Sequence, residues 1–421
     1  NHPGHEDTLR FHLAKLGLLD LADYLVWIPY ESFNDVQVLG KGGFSTVYKA
    51  WLDSVDSRGF AVLEKADIGW KVGFDGEMKA HFALKEVNLK LIQEVVLSTY
   101  LAFCGVLSTI GLIGLSQGPS GHYLMIMDYA EEGSLEKRCM NNPPATHWGE
   151  IFDMARDMAD RLYLLHRYGL VHKDLHPGNV VFRTRTYAAR TGLFARLIDV
   201  GLSSVVESSQ GDDGIYGRLP YLPIEVFDRQ PYTSASDVYC FGTLMWQLVV
   251  GIPPNGTAAS AVAERTDRMR EEMIPGAPEV YLDLLRDCWQ TDPARRPTMA
   301  DILWRLYGMG KGSAVAEETT KWIEGRRAAH KRMMHLDSEE STDFEFFEMA
   351  TQNLRSQFHP YKTFKVPASQ LKANLSDVQD DLRGKKHLRV LRHGGLRARV
   401  CAQDGRIRVR GSSRLQGSLP G

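Results

Sequence analysis

The stretch Val171-His172-Lys173-Asp174-Leu175-His176-Pro177-Gly178-Asn179 decides how the rest of this 421-residue chain is read. An acid and an amide stand five residues apart in a segment broken by Pro and Gly. Such a pair can divide one task. Asp174 can orient a hydroxyl and accept its proton, while Asn179 holds a metal. Taken alone, a loop Asp and Asn more often cap nearby backbone.

Twenty residues on, Leu197-Ile198-Asp199-Val200-Gly201 ends an apolar run with a carboxylate and a glycine. A carboxylate at a strand end is placed to bind Mg2+. Upstream, Ala83-Leu84-Lys85 sets a lysine in an apolar strand, where its point charge could meet polyphosphate. Further upstream, Gly40-Lys41-Gly42-Gly43-Phe44-Ser45-Thr46-Val47 interrupts two strand-forming stretches. Glycines there let backbone N–H groups approach phosphate oxygens. It is not a Walker loop, because no Gly-Lys-Ser/Thr follows.

Each signal is weak by itself, but their order is informative. Glycine loop, strand lysine, H-x-D-x-x-x-x-N and D-x-G resemble the protein-kinase signature set. Leu219-Pro220-Tyr221-Leu222-Pro223-Ile224-Glu225 resembles the segment that ends in Ala-Pro-Glu. Ser236-Asp237-Val238-Tyr239-Cys240-Phe241-Gly242 resembles the next helix start. Cys288-Trp289, Asp292-Pro293 and Arg295-Arg296-Pro297-Thr298 resemble the closing element. Trp27-Ile28-Pro29-Tyr30 and Ile215-Tyr216-Gly217 resemble an expanded fungal group of tyrosine-kinase-like protein kinases. The likeness spans residues 36–307, about two thirds of the chain.

The resemblance implies an α+β, two-lobed fold with a β-rich first lobe and a helical second lobe. It implies ATP and Mg2+ as cofactors and a protein hydroxyl as acceptor, serine or threonine rather than tyrosine. Gly40, Gly42 and Gly43 would cover the phosphates. Val47 and Ala83 would sandwich adenine. Met127 would be the gatekeeper, with Asp128 and Ala130 offering backbone hydrogen bonds to the base. Lys85 would pair the α- and β-phosphates and Asp174 would be the catalytic base. Asn179 and Asp199 would hold Mg2+. Glu225 and Arg296 would form a buried ion pair.

The chain departs from the pattern in places. Glu94 is the candidate helix partner of Lys85, yet it follows by only nine residues. At ~1.5 Å per residue, a shortfall of roughly eight residues removes about 12 Å of helix. The alternative reading is therefore a pseudokinase, a nucleotide-binding scaffold without catalysis. A Lys85–Glu94 separation near ~3 Å favours catalysis. Lys173 stands in place of an arginine fork, Val200 in place of Phe and Ser45 in place of a third glycine. His176 and Arg218 occupy positions where serine/threonine kinases carry lysine and threonine.

Composition fits an ordinary folded protein: 43% hydrophobic, 24% charged, formal charge −2. Near-neutral charge argues against a surface given over to nucleic acid, so no dedicated nucleic-acid domain is expected. Five scattered cysteines make a disulfide framework improbable and fit a reducing, cytoplasmic setting. Residues 95–115 carry no charge and match a membrane span in length. Internal Gly105, Gly111 and Gly114 favour buried broken elements instead, so no transmembrane segment is expected.

The expected organisation is an N-terminal helical extension over 1–32 and a kinase domain over 33–310. Its lobes are 33–129 and 130–310. A C-terminal extension follows over 311–421. Apolar spacing predicts helices over 8–25, 148–168, 235–250, 279–290, 298–307 and 314–336. Residues 52–80 read as a long loop, and 199–225 as a mobile activation segment. Residues 383–414 hold eleven Lys or Arg against one acid, or +10, which leaves −12 on the remainder. That stretch reads as a disordered tail, open to an anionic partner.

Overall fold

The computed structural model describes residues 5–41, 45–52, 80–87, 92–103, 110–187, 190–200, 204–205, 218–228, 230–254, 271–339, 398–403 and 406–411. The loop expected over 52–80 and most of the expected activation segment lie outside these residues.

Helix α1 (Glu6–Leu16) is shorter than the expected 8–25. Gly17 adopts φ 71° and its N–H returns to Ala14 O and Leu13 O, closing the helix. Glycine takes this left-handed geometry without a Cβ penalty. A single 3-10 turn over Leu19–Leu21 follows. Leu9 and Leu13 are buried in one apolar cluster with Trp27, Val95, Leu112, Leu115 and Met125.

Six strands build the first lobe: β1 (Val26–Trp27), β2 (Phe33–Lys41), β3 (Thr46–Leu52), β4 (Ala80–Val87), β5 (Leu112–Gln117) and β6 (Tyr123–Asp128). Their order is β1-β5-β6-β4-β3-β2. β1 runs parallel to β5, so residues ahead of Phe33 belong to the same sheet. The β2–β3 pairing brings Gly40 opposite Val47, on either side of the glycine turn. Helix α2 (Ile92–Phe103) packs on this sheet. The apolar stretch 95–115 is thus divided between a 12-residue helix and a strand. No helix among the described residues is long and apolar enough to cross a membrane.

The second lobe is largely helical. Among the described residues its helices are α3 (Leu135–Asn141), α4 (Trp148–Arg167), α5 (Ile224–Phe227), α6 (Ser234–Val250), α7 (Glu279–Cys288), α8 (Met299–Gly308) and α9 (Glu317–Glu339). These bounds follow the apolar spacing closely, because the amphipathic faces bury in one core, α4 and α7 against α6 and α8 against α4. α6 is apolar on all sides and buried along almost its whole length. Reciprocal capping starts it at Thr233 and Ser236, and starts α8 at Thr298 and Asp301. One element departs from the helical reading: β7 (Leu170–Val171) leads to a long hairpin, β8 (Val180–Tyr187) with β9 (Arg190–Leu197). A short β10 (Ser204–Val205) pairs with β7.

A separate unit spans residues 360–421. Within it, β11 (Ala398–Gln403) and β12 (Arg406–Gly411) form an antiparallel hairpin that pairs Arg399 with Arg410. The rest of the basic segment lies outside the described residues.

Candidate active site

Period-two alternation on β3, β4 and β6 places a set of side chains on one sheet face. Val47 pairs with Lys85, and Ala83 pairs with Met127. Gly40 joins them opposite Val47. Gly42 and Gly43 lie outside the described residues. At the end of β6 the Asp128 N–H donates to Gly111 O at 3.2 Å, and Gly133 N–H donates to Ala130 O at 3.2 Å. The chain then turns into α3.

Lys85 is buried, and its Nζ donates to both carboxylate oxygens of Glu94, at 2.7 and 2.8 Å. It also lies 3.1 Å from Asp199 Oδ1. The short interval shows its effect at the start of the helix: Glu94 sits in the first turn of α2. The missing length comes off ahead of the carboxylate, so the pair still forms. A first-turn acid is also favoured by the helix dipole. Burial pushes the Lys85 ammonium down, but Glu94 and Asp199 outweigh it and hold its pKa above the ordinary value. Burial and the Asp199 charge push the Glu94 carboxyl up against the pull of Lys85.

Two non-glycine residues near the site hold left-handed backbone, Lys173 (φ 67°) in the loop after β7 and Asp199 (φ 59°) just after β9. Such residues cost of order 1–3 kcal/mol each and persist only where surroundings fix them. For Lys173, Asp237 at the start of α6 provides that fixation. It is fully buried and accepts the N–H of His172 at 2.8 Å and of Lys173 at 3.2 Å. The Tyr232 hydroxyl donates to it at 2.7 Å, and His166 Nε2 lies at 2.8 Å. Burial pushes its carboxyl up, but the bonds and charge of His166 and His172 bring it below the usual value.

His172 is buried and bridges the loop. Its Nδ1 accepts the Asp174 N–H at 3.3 Å, and its Nε2 lies 3.1 Å from Ile198 O. A carbonyl only accepts, so Nε2 carries the proton. Asn179 donates through Nδ2 to Asp174 O at 2.9 Å and Oδ2 at 3.1 Å. The Ile198 N–H donates to Asn179 O at 2.9 Å, which ties the residue before Asp199 to the same loop. His176 Nε2 stands 3.7 Å from Asp174 Oδ2. Burial alone would raise the Asp174 pKa; His176, His172 and Asn179 pull it below the ordinary carboxylate value.

The structure therefore brings Lys85, Glu94 and Asp199 into direct contact, and Asp174 and Asn179 into another. A hard cation needs oxygen ligands. With its amide nitrogen turned to Asp174, Asn179 has its carbonyl oxygen for such a cation, and Asp199 has its second carboxylate oxygen. No group of three or more His, Cys, Asp or Glu suited to a metal occurs among the described residues. A two-ligand site fits Mg2+, which keeps several waters and takes phosphate oxygens.

Below this loop, Arg296 Nη1 and Nη2 donate to Glu225 Oε1 and Oε2 at 2.6 and 2.8 Å. Both side chains are buried. Arg218 contacts Glu136 on α3 through the guanidinium. Sequence reasoning did not single out Asp237, His166 or Tyr232 as parts of the site. The available signal was an acid in the first turn of an otherwise apolar helix, three residues after its start.

A family pattern described as protein tyrosine and serine/threonine kinase matches residues 33–306. Among curated relatives, a probable serine/threonine-protein kinase roco5 of Dictyostelium discoideum is 26% identical over 70% of this chain and 10% of its own length. A mitogen-activated protein kinase kinase kinase of Drosophila melanogaster is 26% identical over 66% of this chain and 23% of its own. A protein kinase and PP2C-like domain-containing protein of Arabidopsis thaliana is 24% identical over 75% of this chain and 48% of its own. The chain thus spans less than half the length of each of these relatives. A sheet-rich lobe and a helical lobe meet at the lysine, aspartate and asparagine positions just described, and the family pattern covers both. The chain belongs to the protein tyrosine and serine/threonine kinase family.

Proposed function

We propose that this chain is an active, ATP-dependent protein kinase that transfers the γ-phosphoryl group to a protein hydroxyl, serine or threonine in preference to tyrosine. The observation that carries this reading is Lys85 Nζ held at 2.7 Å from Glu94 and 3.1 Å from Asp199. A scaffold with a collapsed first lobe would have no need of that trio, so the pair favours catalysis over the pseudokinase alternative.

In this reading Val47 and Ala83 sandwich adenine, beside Met127. With the Asp128 N–H donated to Gly111, the Asp128 carbonyl and the Ala130 N–H read the edge of the base. Lys85 holds the α- and β-phosphates, preset by Glu94. Asn179 and Asp199 hold Mg2+, which when bound neutralises phosphate charge. Asp174, kept ionised by its neighbours, orients the acceptor hydroxyl and takes its proton as the phosphoryl group passes in line. The buried thiols of Cys139, Cys240 and Cys288, joined in no disulfide among the described residues, suit a reducing cytoplasmic setting. The acceptor preference rests on the kinases named above and on the absence of a tyrosine-type catalytic loop.

The test is transfer of radiolabelled phosphate from Mg·ATP to generic acceptor proteins, wild type beside Asp174→Asn, followed by phosphoamino-acid analysis. Label on serine or threonine, lost in the variant, supports the proposal. Nucleotide binding without transfer in the wild type supports the scaffold.

A further inference from the structure

The segment that joins the lobes carries three acids, Asp128, Glu131 and Glu132. All three are engaged by one strand of the second lobe. Arg183 on β8 donates through Nη1 to Asp128 Oδ2 at 2.7 Å, and its Nε lies 3.5 Å from Glu131 Oε2. Next to it, the Thr184 N–H donates to Glu131 Oε1 at 2.8 Å and the Thr184 hydroxyl to Glu132 Oε1 at 2.9 Å. The backbones join as well. Glu132 N–H donates to Phe182 O at 3.2 Å, and Phe182 N–H to Gly133 O at 2.9 Å. Asp128 and Arg183 are both partly buried, with side chains 15% and 29% exposed. A charge-assisted bond in that setting is stronger than a surface pair.

The same strand leaves the catalytic loop. Asn179 precedes β8 directly, and Arg183 lies four residues further on, roughly 13 Å along an extended strand. β8 therefore spans from the proposed metal ligand to the proposed adenine-binding segment. Nothing in the phosphate chemistry requires an arginine at its far end.

We propose that Arg183 is a positioning residue for the nucleotide: by holding the Asp128 side chain it sets the linker backbone that reads adenine, at a fixed distance from Asn179. This rests on the kinase reading above. Arg183 does not touch the nucleotide. It acts through Asp128, so its loss weakens nucleotide binding while the phosphoryl-transfer apparatus at Lys85, Asp174 and Asp199 stays in place.

The experiment is calorimetric titration of the full chain with Mg2+ and a non-hydrolysable ATP analogue, beside steady-state kinetics. Arg183→Met raises the analogue Kd and the KM for ATP by about tenfold, equivalent to ~1.4 kcal/mol. Its kcat at saturating ATP and its KM for the acceptor stay within about twofold. Arg183→Lys, which keeps a charge, recovers roughly half of the loss on a logarithmic scale. Asp128→Asn gives an independent route should Arg183→Met fold poorly, and it raises the Kd in the same direction. The double variant binds no more weakly than the worse single, because both remove one interaction. Unchanged Kd in both single variants, additive losses in the double, or a fall in kcat with Kd unchanged would each overturn the assignment. A wild type that does not bind the analogue overturns the kinase reading, and this inference with it.

Discussion

Nine residues separate Lys85 from Glu94, and their side chains meet through two hydrogen bonds of 2.7 and 2.8 Å. Asp199, whose side chain is 40% exposed, completes a trio around the buried ammonium. Removing one member leaves the others with a charge that has lost its balance. Glu94→Gln is expected to lower kcat by about 10²-fold, because Lys85 then swings to Asp199 and leaves its phosphate position. Asp199→Ala is expected to abolish Mg·ATP-dependent transfer while the protein still melts cooperatively. Initial rates with labelled ATP, beside thermal melts, check both. Full activity of Asp199→Ala would rule out its metal role.

The Glu225–Arg296 pair ties the end of the activation segment to the turn before α8. Its two partners are not equivalent. Arg296 also donates to Ala235 O at 2.9 Å and through Nε to Gln290 O at 2.8 Å, and it lies 4.8 Å from the centre of the Tyr239 ring. Glu225 accepts, in addition, the Ser236 hydroxyl at 3.0 Å. Loss of the arginine strands a buried carboxylate and removes the donor of three carbonyls, the third being Thr291 O at 3.3 Å. Arg296→Met is therefore expected to cost roughly 3–5 kcal/mol. Glu225→Gln, which keeps an acceptor, is expected to cost less. Urea melts of the two singles and the double decide it; equal losses for both singles would contradict the asymmetry.

Acid sensitivity should come in two windows. Burial lowers the pKa of His172, so the folded protein resists a proton that the unfolded chain accepts near pH ~6.5. The stability linked to His172 is present above that pH and is lost as pH falls below it, with a limiting slope of ~1.4 kcal/mol per unit. The depressed carboxyls of Asp174 and Asp237 act lower. Their contribution is present above about pH 4 and is lost only as pH falls through their folded values. Urea midpoints from pH 7.5 to 5.5 should decline in the wild type and decline less in His172→Asn. Parallel curves would refute the assignment.

Leu13 on α1 is buried in the same cluster as Val95, the neighbour of Glu94. Leu13→Ala is expected to cost roughly 2–5 kcal/mol. Phe11 on the same helix is 67% exposed, and Phe11→Ala should stay within about 0.5 kcal/mol. Chemical melts compare the two. Similar losses would mean that α1 is held by something other than this face.

Much of this was visible in the chain itself. Helices α4, α6, α7 and α8 fall within a residue or two of their expected bounds: one-sided burial gives α4, α7 and α8 a period that sequence records directly, and the wholly buried α6 stands out as a continuous apolar run. Lys85, Asp174, Asn179 and Asp199 lie together as their motifs suggest, because each is fixed by local strand or loop geometry. Asp237 was harder to see. Its four partners come from residues 166, 172, 173 and 232, and only folding brings them to one carboxylate. Arg183 is similar: a strand arginine looks solvated until the acidic linker is placed beside it. The end of α1 was written plainly at Gly17, but leucine spacing continued past it and masked the stop. The spacing from Lys85 to Glu94 pointed to a damaged site, because residue counts register a missing turn but not which end of the helix lost it.

The recognisable pattern ends at residue 306, yet the packing does not. On α9, Arg327 donates to Val250 O at 2.8 Å and to Asn142 O at 2.9 Å. Its guanidinium lies so close to Gly251 that a Cβ there would come within 1.8 Å of it. Ile323 is buried in the main core, and the Thr319 hydroxyl donates to Pro275 O at 2.7 Å. At the other end, β1 lies ahead of residue 33 and still borders the sheet. What is inherited as a module and what stands up as a solid body are different lengths of chain. An expression fragment trimmed to the motif limits would keep every side chain proposed for nucleotide binding and catalysis. It would also lose the rear wall of one lobe and the strap across the other.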